Sequence, residues 1–520
     1  MPASRTELRR LASVGFTVAA LASAALLVTT TSSAVAASSK VRKANEHATL
    51  TYGATAPLVT FDPAASSAGA EEAQYLGLVY DTLVKFNAKA QPEPDLATSW
   101  KFQSDTEVTF TLRTGVTYQD GSAFNATTAV ESLDRSIAAA GPRSSSLGPI
   151  AQVKALDPTT LRILLKTPDP DLLFTLASAP CDLLSPEAFN RPNLNLDPDG
   201  TGAYFYDAAQ STPGDHYTFV ANPKWWNKSV IRPHTIVFKV ITDPTARLDA
   251  VQTGQVDLTL INASNAAQAK ADGLRITATP VAWTGLLILD RAGKTVPAFA
   301  SLKVREAIAM ALDRPAIVRA ALYGYGSVSD QPILKGVQGY DATIANRFTY
   351  NLKKARHLIA ESGYKNISFT APVDASTDHT GAEILKAELA AIGINMTIQL
   401  LPTNSLGPAG RTTQYPVITF GFPNYDPYGR YLAQLAPAAG FNPFHDDNPA
   451  LDALATQYAA AEFTKPKLAN KLAAEMSAEE VDQGYIIVAA QADDIVASSP
   501  KVTGIGIVYG APNFADIHFS

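Results

Sequence analysis

The chain has 520 residues, 46% of them hydrophobic and 17% charged, with a formal net charge of −6. That length exceeds one ordinary hydrophobic core, so two or three structural units are expected, and the composition excludes a disordered chain or a multi-span membrane protein. The mild acidity argues against nucleic acid as a partner and leaves no basic stretch to hold the protein on anionic lipid.

The first segment reads as an address. Arg5, Arg9 and Arg10 precede an apolar run over 15–28, and small residues follow, which is the three-part pattern of a secretory signal. Ala34-Val35-Ala36 offers a small-x-small cleavage site, so a signal peptide over 1–36 and a protein exported to the periplasm or the cell surface are predicted. The run falls short of the roughly 20 apolar residues that span a bilayer. Arg9-Arg10 also suggests a twin-arginine signal, in surroundings that fit that pattern poorly. Cys181 is the only cysteine, far from the cleavage site, so it supplies neither a lipid anchor there nor an intramolecular disulfide, and it reads as a buried small residue.

In chain order, a strand over 48–52 is followed by a loop through Phe61-Asp62-Pro63 and a helix over 69–84. Thr106, Val108, Phe110 and Leu112 share one face of an alternating, half-buried strand that ends near the turn Gln119-Asp120-Gly121-Ser122. Strands follow over 161–165 and 235–241, the second apolar and β-branched enough to predict burial on both faces. Helix-like runs occupy 246–253, 303–312, 352–362 and 383–392. The class is α/β, and with no long linker or repeat the units must form by the chain crossing back and forth.

The seven histidines show no two-His spacing of the kind that binds a metal from one helix. Asp378-His379 and His445-Asp446-Asp447 are the sequences best able to supply metal ligands, both in polar, loop-like surroundings. Gly504-x-Gly506-x-x-x-Gly510 departs from the dinucleotide fingerprint in its third glycine and reads as a strand with turns. Neither a nucleophile elbow nor a phosphate-cradling loop is present in the sequence. No catalytic residues, cofactor or metal are expected, and an extracellular hydrolase acting on oligosaccharide or peptide is the alternative class.

Tyr80-Asp81-Thr82-Leu83 with Pro94-Asp95-Leu96-Ala97-Thr98-Ser99-Trp100, then Asp120-Gly121-Ser122, Gly200-Thr201-Gly202-Ala203-Tyr204 and Asn222-Pro223-Lys224-Trp225-Trp226 form an ordered series. Gln252-Thr253-Gly254-Gln255-Val256-Asp257, the segment from Val304-Arg305-Glu306 to Leu312-Asp313-Arg314, and Ala355-Arg356 through Gly363-Tyr364 continue it. This series resembles the family 5 extracellular solute-binding proteins, the oligopeptide, dipeptide and nickel-binding group of ABC importers. Most of the motif residues have structural readings: Trp225 and Trp226 as packing aromatics, Gly254 as a helix C-cap, and Arg305 and Asp313 as helix residues in ordinary salt bridges.

The resemblance implies a two-lobed, type II periplasmic-binding-protein fold with an additional subdomain. The first lobe would comprise 37–85, 184–285 and 485–520, its subdomain 86–183, and the second lobe 286–484, with the crossings near 286–290 and 484–489. It further implies a monomer that captures an oligopeptide, an oligosaccharide or another small solute between its lobes and passes it to ABC permease subunits. Candidate ligand-binding residues are Phe61, Trp283, Phe420, Phe422, Asn424, Tyr425, Tyr428 and Asn442, because aromatic faces stack on rings and apolar chains and an amide both donates and accepts. In peptide-binding members an acid three positions before an acid-Pro pair holds the α-ammonium. Here the pair is Asp426-Pro427 and that position is Pro423, which predicts weak binding of free-amine peptides and a neutral or anionic solute instead. Asp426 would replace the missing anchor if the loop is shifted.

Overall fold

A computed structural model describes residues 45–520 apart from 68, 88–90, 140, 231, 376–377, 403–404, 424–425, 509–510 and 515. The predicted signal peptide and its cleavage site lie outside the described residues, as do Asn424 and Tyr425.

The predicted alternation of strands and helices is present, with shifted edges. The first strand is Thr49–Ala54. The helix after it is Ala70–Val79, which stops before Tyr80-Asp81 because those residues run extended into the next unit. Leu352–Ser362 is a helix whose N-cap Asn351 accepts from Lys354 N, and Gly363 ends it at φ 77°, where a Cβ would be strained. Thr235–Val240 alternates instead of burying both faces: Ile236 and Phe238 have no exposure while the residues between them are partly open. The second face carries Thr235, Val237 and Lys239, which are partly or fully exposed.

A nine-stranded sheet forms the spine, in the order Val417–Pro423, Arg275–Ile288, Ile486–Ser498, Leu258–Ile261, Thr49–Ala54, Thr235–Val240, His216–Ala221 and Tyr204–Thr212, with Gly326–Ser327 pairing on the side of Ile486–Ser498. Two of these strands are much longer than the rest and pair antiparallel along almost their whole length. At one end they join the core of Tyr52, Phe61, Phe219 and Phe238, with Val496 in it and Val281 against it. At the other end they separate two further cores. One contains Leu286, Ile288, Phe299 and Phe369, and the other contains Trp283, Leu287, Leu435, Tyr458 and Met476. The change of core therefore falls between Val281 and Trp283 on the first crossing strand.

A separate four-stranded antiparallel sheet, Ala97–Ser104, Glu107–Leu112, Thr160–Leu165 and Ile150–Asp157, builds the subdomain around Phe110, Leu133 and Leu161. Its helix Ala126–Ala138 starts at a capping box in which Asn125 Oδ1 accepts from Thr128 N and Thr128 Oγ1 accepts from Asn125 N. Cys181 is buried in this core. Among the described residues no helix is long and apolar enough to cross a membrane.

The signature motifs converge on one joint. Asp81 Oδ2 accepts from Thr201 Oγ1 at 2.8 Å, Trp226 Nε1 at 3.0 Å and Trp225 Nε1 at 3.3 Å. The two tryptophans are therefore hydrogen-bond donors as well as packing residues. Asp95 beside them accepts from Thr82 N, and Arg113 lies over the Trp226 ring at 4.0 Å. Two other motif residues depart from expectation. Asp313 is not within a helix but caps Arg314–Ala321, accepting from Ala316 N. Arg305 takes part in no ion pair among the described residues; it donates to the carbonyls of Gln483 and Phe299, which sit closer to its buried guanidinium than any acid.

Candidate ligand-binding cleft

The crossing strands carry two irregularities, between Pro280 and Ala282 and between Thr284 and Gly285. Bulges of this kind bend and twist a strand where they occur. At the second the backbones close tightly: a Cβ on Gly285 would lie 2.2 Å from Ile487 O. Beyond the crossing, Asp290 has no exposure, and its carboxylate accepts from the backbone N–H groups of Lys294, Thr295 and Val296, fixing the turn that leads into the second lobe.

A cavity of about 770 Å³ lies between the subdomain and the second lobe. This is within the ~300–1,000 Å³ range of small-molecule sites. Phe86, Arg143 and the segment 169–175 line it from the subdomain; Gln338, Arg411, Asp426 and the segment 458–463 contribute from the second lobe. Its apolar wall includes Leu173, Phe174, Leu432 and Phe463, and its charged groups are the carboxylates of Asp169, Asp171, Asp426 and Glu462 with the guanidinium groups of Arg143 and Arg411.

Those carboxylates are held by local chemistry. Asp426 is the N-cap of the short helix Pro427–Arg430, with proline in its first turn, and its Oδ1 accepts from Tyr428 N and Gly429 N. Asp169 is 6% exposed and accepts from Asp171 N; burial, with the charge of Asp426, pushes its carboxyl up to about 6. Burial also raises Glu462, although Gln338 Nε2 donates to it at 3.1 Å. Asp171 is raised well above the carboxylate range, first by burial and then by the charges of Asp426 and Asp169.

The structure brings some of the sequence-derived candidates together. Trp283 has no exposure and stacks on Phe422 with centroids 5.2 Å apart. Tyr428, half-buried, packs between Tyr431 and Tyr458, against the same core. Phe420 lies opposite Gly285 on the neighbouring strand. Asn442 has no exposure, and its Nδ2 donates to the carbonyls of Leu435, Ala436 and Asp446, so it ties a loop together. Phe61 belongs to the first lobe's core, 4.8 Å from Tyr206.

Of the candidates with described side chains, Phe61, Trp283, Phe422, Tyr428 and Asn442, none lines the cavity, although Asp426 and Gly429 beside Tyr428 do. Sequence reasoning did not single out Asp169, Asp171, Tyr458 or Glu462. The only signal was Asp169-Pro170-Asp171, two acids held around a proline in a non-periodic stretch. The two sequences considered for metal ligands are spent on local bonds: His379 Nε2 with Asp374 O, His445 Nδ1 with Pro437 O, and Asp446 with Lys294 at 2.8 Å. Among the described residues no group of three or more His, Cys, Asp or Glu side chains could hold a metal ion.

Comparison with known proteins matches the architecture. The glutathione-binding protein GsiB of Escherichia coli O157:H7 is 29% identical over 310 residues, 57% of this chain and 58% of that relative's length. The solved structure of the periplasmic binding protein DppA from Helicobacter pylori, in complex with the peptide STSA, has a TM-score of 0.75 at 21% identity, covering 91% of this chain and 98% of its own. AgaA from A. tumefacien R10, in complex with agropinic acid, has a TM-score of 0.73 at 23% identity, covering 90% of this chain and 96% of its own. These likenesses establish the two-lobed periplasmic-binding-protein fold. The model of the bacterial extracellular solute-binding proteins, family 5 (middle region), matches residues 91–442, and the chain belongs to that family.

Proposed function

We propose that this chain is the extracytoplasmic solute-binding component of an ABC importer, a receptor and not an enzyme. In this reading it is exported, works as a monomer, encloses one small solute between its lobes and delivers it to the membrane permease. The observation that carries the proposal is the cavity of about 770 Å³ whose walls come from both sides of a two-strand crossing. A site divided between two bodies is completed only when they close, and closure removes water and strengthens each polar contact with the ligand.

The relatives bind chemically different ligands, glutathione, a peptide and agropinic acid by their printed descriptions, so family membership alone leaves the class open. Position 423 narrows it. Pro423 ends its strand exposed and without charge, and Asp426 Oδ1 is committed to two backbone N–H groups. Proline at 423 removes the expected partner of a peptide α-ammonium, and the four carboxylates lining the cavity weigh against an anion, which supports a neutral solute, such as an oligosaccharide or an aromatic metabolite. Trp283, Phe422 and Tyr428 are the aromatic candidates retained for contact with it.

The test is to denature the purified protein, identify the small molecule released by mass spectrometry, and titrate it back. Saturable one-to-one binding with unchanged ligand, and stabilisation of about 2.7 kcal/mol at ~100 times Kd, is the expected result. Altered product would identify a hydrolase.

A further inference from the structure

Two contacts reach across the cleft from the subdomain to the second lobe. The first involves no ionising group in its apolar part: Phe102 and Phe463 stack with centroids 3.7 Å apart and planes 2° from parallel. Beside it Thr464 Oγ1 donates to Asp105 Oδ1 at 2.5 Å.

The second sets carboxylate against carboxylate. A Cβ on Gly429 would lie 3.2 Å from both oxygens of Asp171 and 3.3 Å from Asp426 Oδ2, so acids from opposite bodies share one small space. Asp169 adjoins from the same segment, Glu462 and Tyr458 face in from the second lobe, and Tyr428 lies on the turn that Asp426 caps. The cations lining the cavity are Arg143 and Arg411, and the Arg411 guanidinium lies over the Phe441 ring at 5.2 Å. Behind Asp426, Glu480 is already paired with Arg430 at 2.6 Å. The charges that act most on Asp171 are those of Asp426, Asp169 and Glu462, all negative. Asp426 has backbone donors to hold its charge, so the approach of a second carboxylate in a partly dry space disfavours the ionised form of Asp171.

We propose that closure of the lobes is linked to proton uptake at Asp171, which meets the Asp426 carboxylate across the cleft when the lobes close and is driven from it when the Asp171 proton is lost to water. The proposal rests on the two-lobed fold and the contacts across it, and holds whatever the ligand is. Its sign follows from burial. With Asp171 set against the second lobe its carboxyl is held well above its ordinary value, whereas with the lobes apart Asp171 faces water. The closed form therefore binds more protons. Closure is favoured at low pH and weakens as pH rises through the closed-form value. The Phe102–Phe463 stack supplies the part that does not vary with pH.

The experiment is small-angle scattering of the ligand-stripped full chain between about pH 8 and about pH 5, with near-ultraviolet circular dichroism as the check on folding. The radius of gyration of the wild type falls as the pH falls. Asp171→Asn, which keeps the shape and removes the ionisation, stays compact across the whole range. Asp426→Asn, which retains a capping side chain, behaves in the same way and serves if the first variant does not fold. Phe102→Ala is more open than wild type at every pH but keeps the titration. A wild-type curve independent of pH, or an Asn variant that titrates as the wild type does, overturns the proposal.

Discussion

Trp283 and Gln491 face each other directly across the two crossing strands, and the indole Nε1 of one and the amide Oε1 of the other are both buried without a hydrogen-bond partner among the described residues. The other end of the Gln491 amide donates to Gln331 O at 2.7 Å, which fixes its orientation. A buried donor that makes no bond costs about 1–3 kcal/mol. Trp283→Phe removes that donor and keeps most of the ring, so the urea midpoint is expected to hold or rise. Trp283→Ala empties the site beside Phe422 and is expected to lose about 3–5 kcal/mol.

Arg430 and Glu480 form an ion pair in which neither side chain has any exposure. Replacing Arg430 by Met alone leaves a buried carboxylate without its partner and is expected to cost about 3–5 kcal/mol. Replacing both by Met removes the charges together and is expected to cost much less. Chemical denaturation of the two single variants and the double variant checks this; additive losses would contradict it.

Stability should rise as the pH falls from about 8 to about 5 through groups such as Asp95. Burial, with the charge of Asp81 beside it, pushes the Asp95 carboxyl up to about 7, well above the ordinary carboxylate range. The folded protein therefore holds a proton that the unfolded chain releases. This contribution is complete below the unfolded value and is lost as pH rises through about 7. Asp95→Asn can still accept from Thr82 N, and its melting temperature should vary less with pH over this interval than that of the wild type.

Asn442 separates the binding and structural readings of the sequence-derived candidates. Asn442→Ala leaves three backbone carbonyls without their shared donor, and a loss of about 1–3 kcal/mol is expected. Once a ligand is known, calorimetry on the folded variant shows whether affinity changes as well. A change in affinity with stability intact would return Asn442 to the ligand.

Gly285 has no room for a side chain, since Ile487 O would lie 2.2 Å from the added carbon. Gly285→Ala must separate the crossing strands, and a loss of about 3 kcal/mol or failure to fold is expected. Gly421, on the adjacent strand, would bring its Cβ no closer than 3.7 Å to Trp283 O, so the same substitution there is the mild comparison.

Local elements were legible where periodicity and caps agree, as in the helix Leu352–Ser362 between Asn351 and Gly363. The α/β class followed from such segments, and the lobed architecture from the ordered motifs. The cavity was not legible. Asp171 and Asp426 come together only through the return of the chain, and nothing in the spacing of either registers the other. Aromatic content pointed to Trp283 and Phe422, which do meet, but in a core; composition cannot distinguish a stacked pair facing solute from one facing Leu435 and Met476. Asp81 shows the converse, since two adjacent tryptophans announce packing and say nothing of the acid to which both donate.

That joint at Asp81 also bears on how such chains are sorted. Thr201, Trp225 and Trp226 gather two distant segments of the first lobe on one carboxylate, the subdomain's Arg113 lies over the Trp226 ring, and none of the four lines the cavity. The residues that make this chain recognisable thus specify its chassis and are silent about its cargo. Grouping homologues by diet would require comparing the segments around 169–175, 426–433 and 458–463, where cavity walls can change while the joint stays intact.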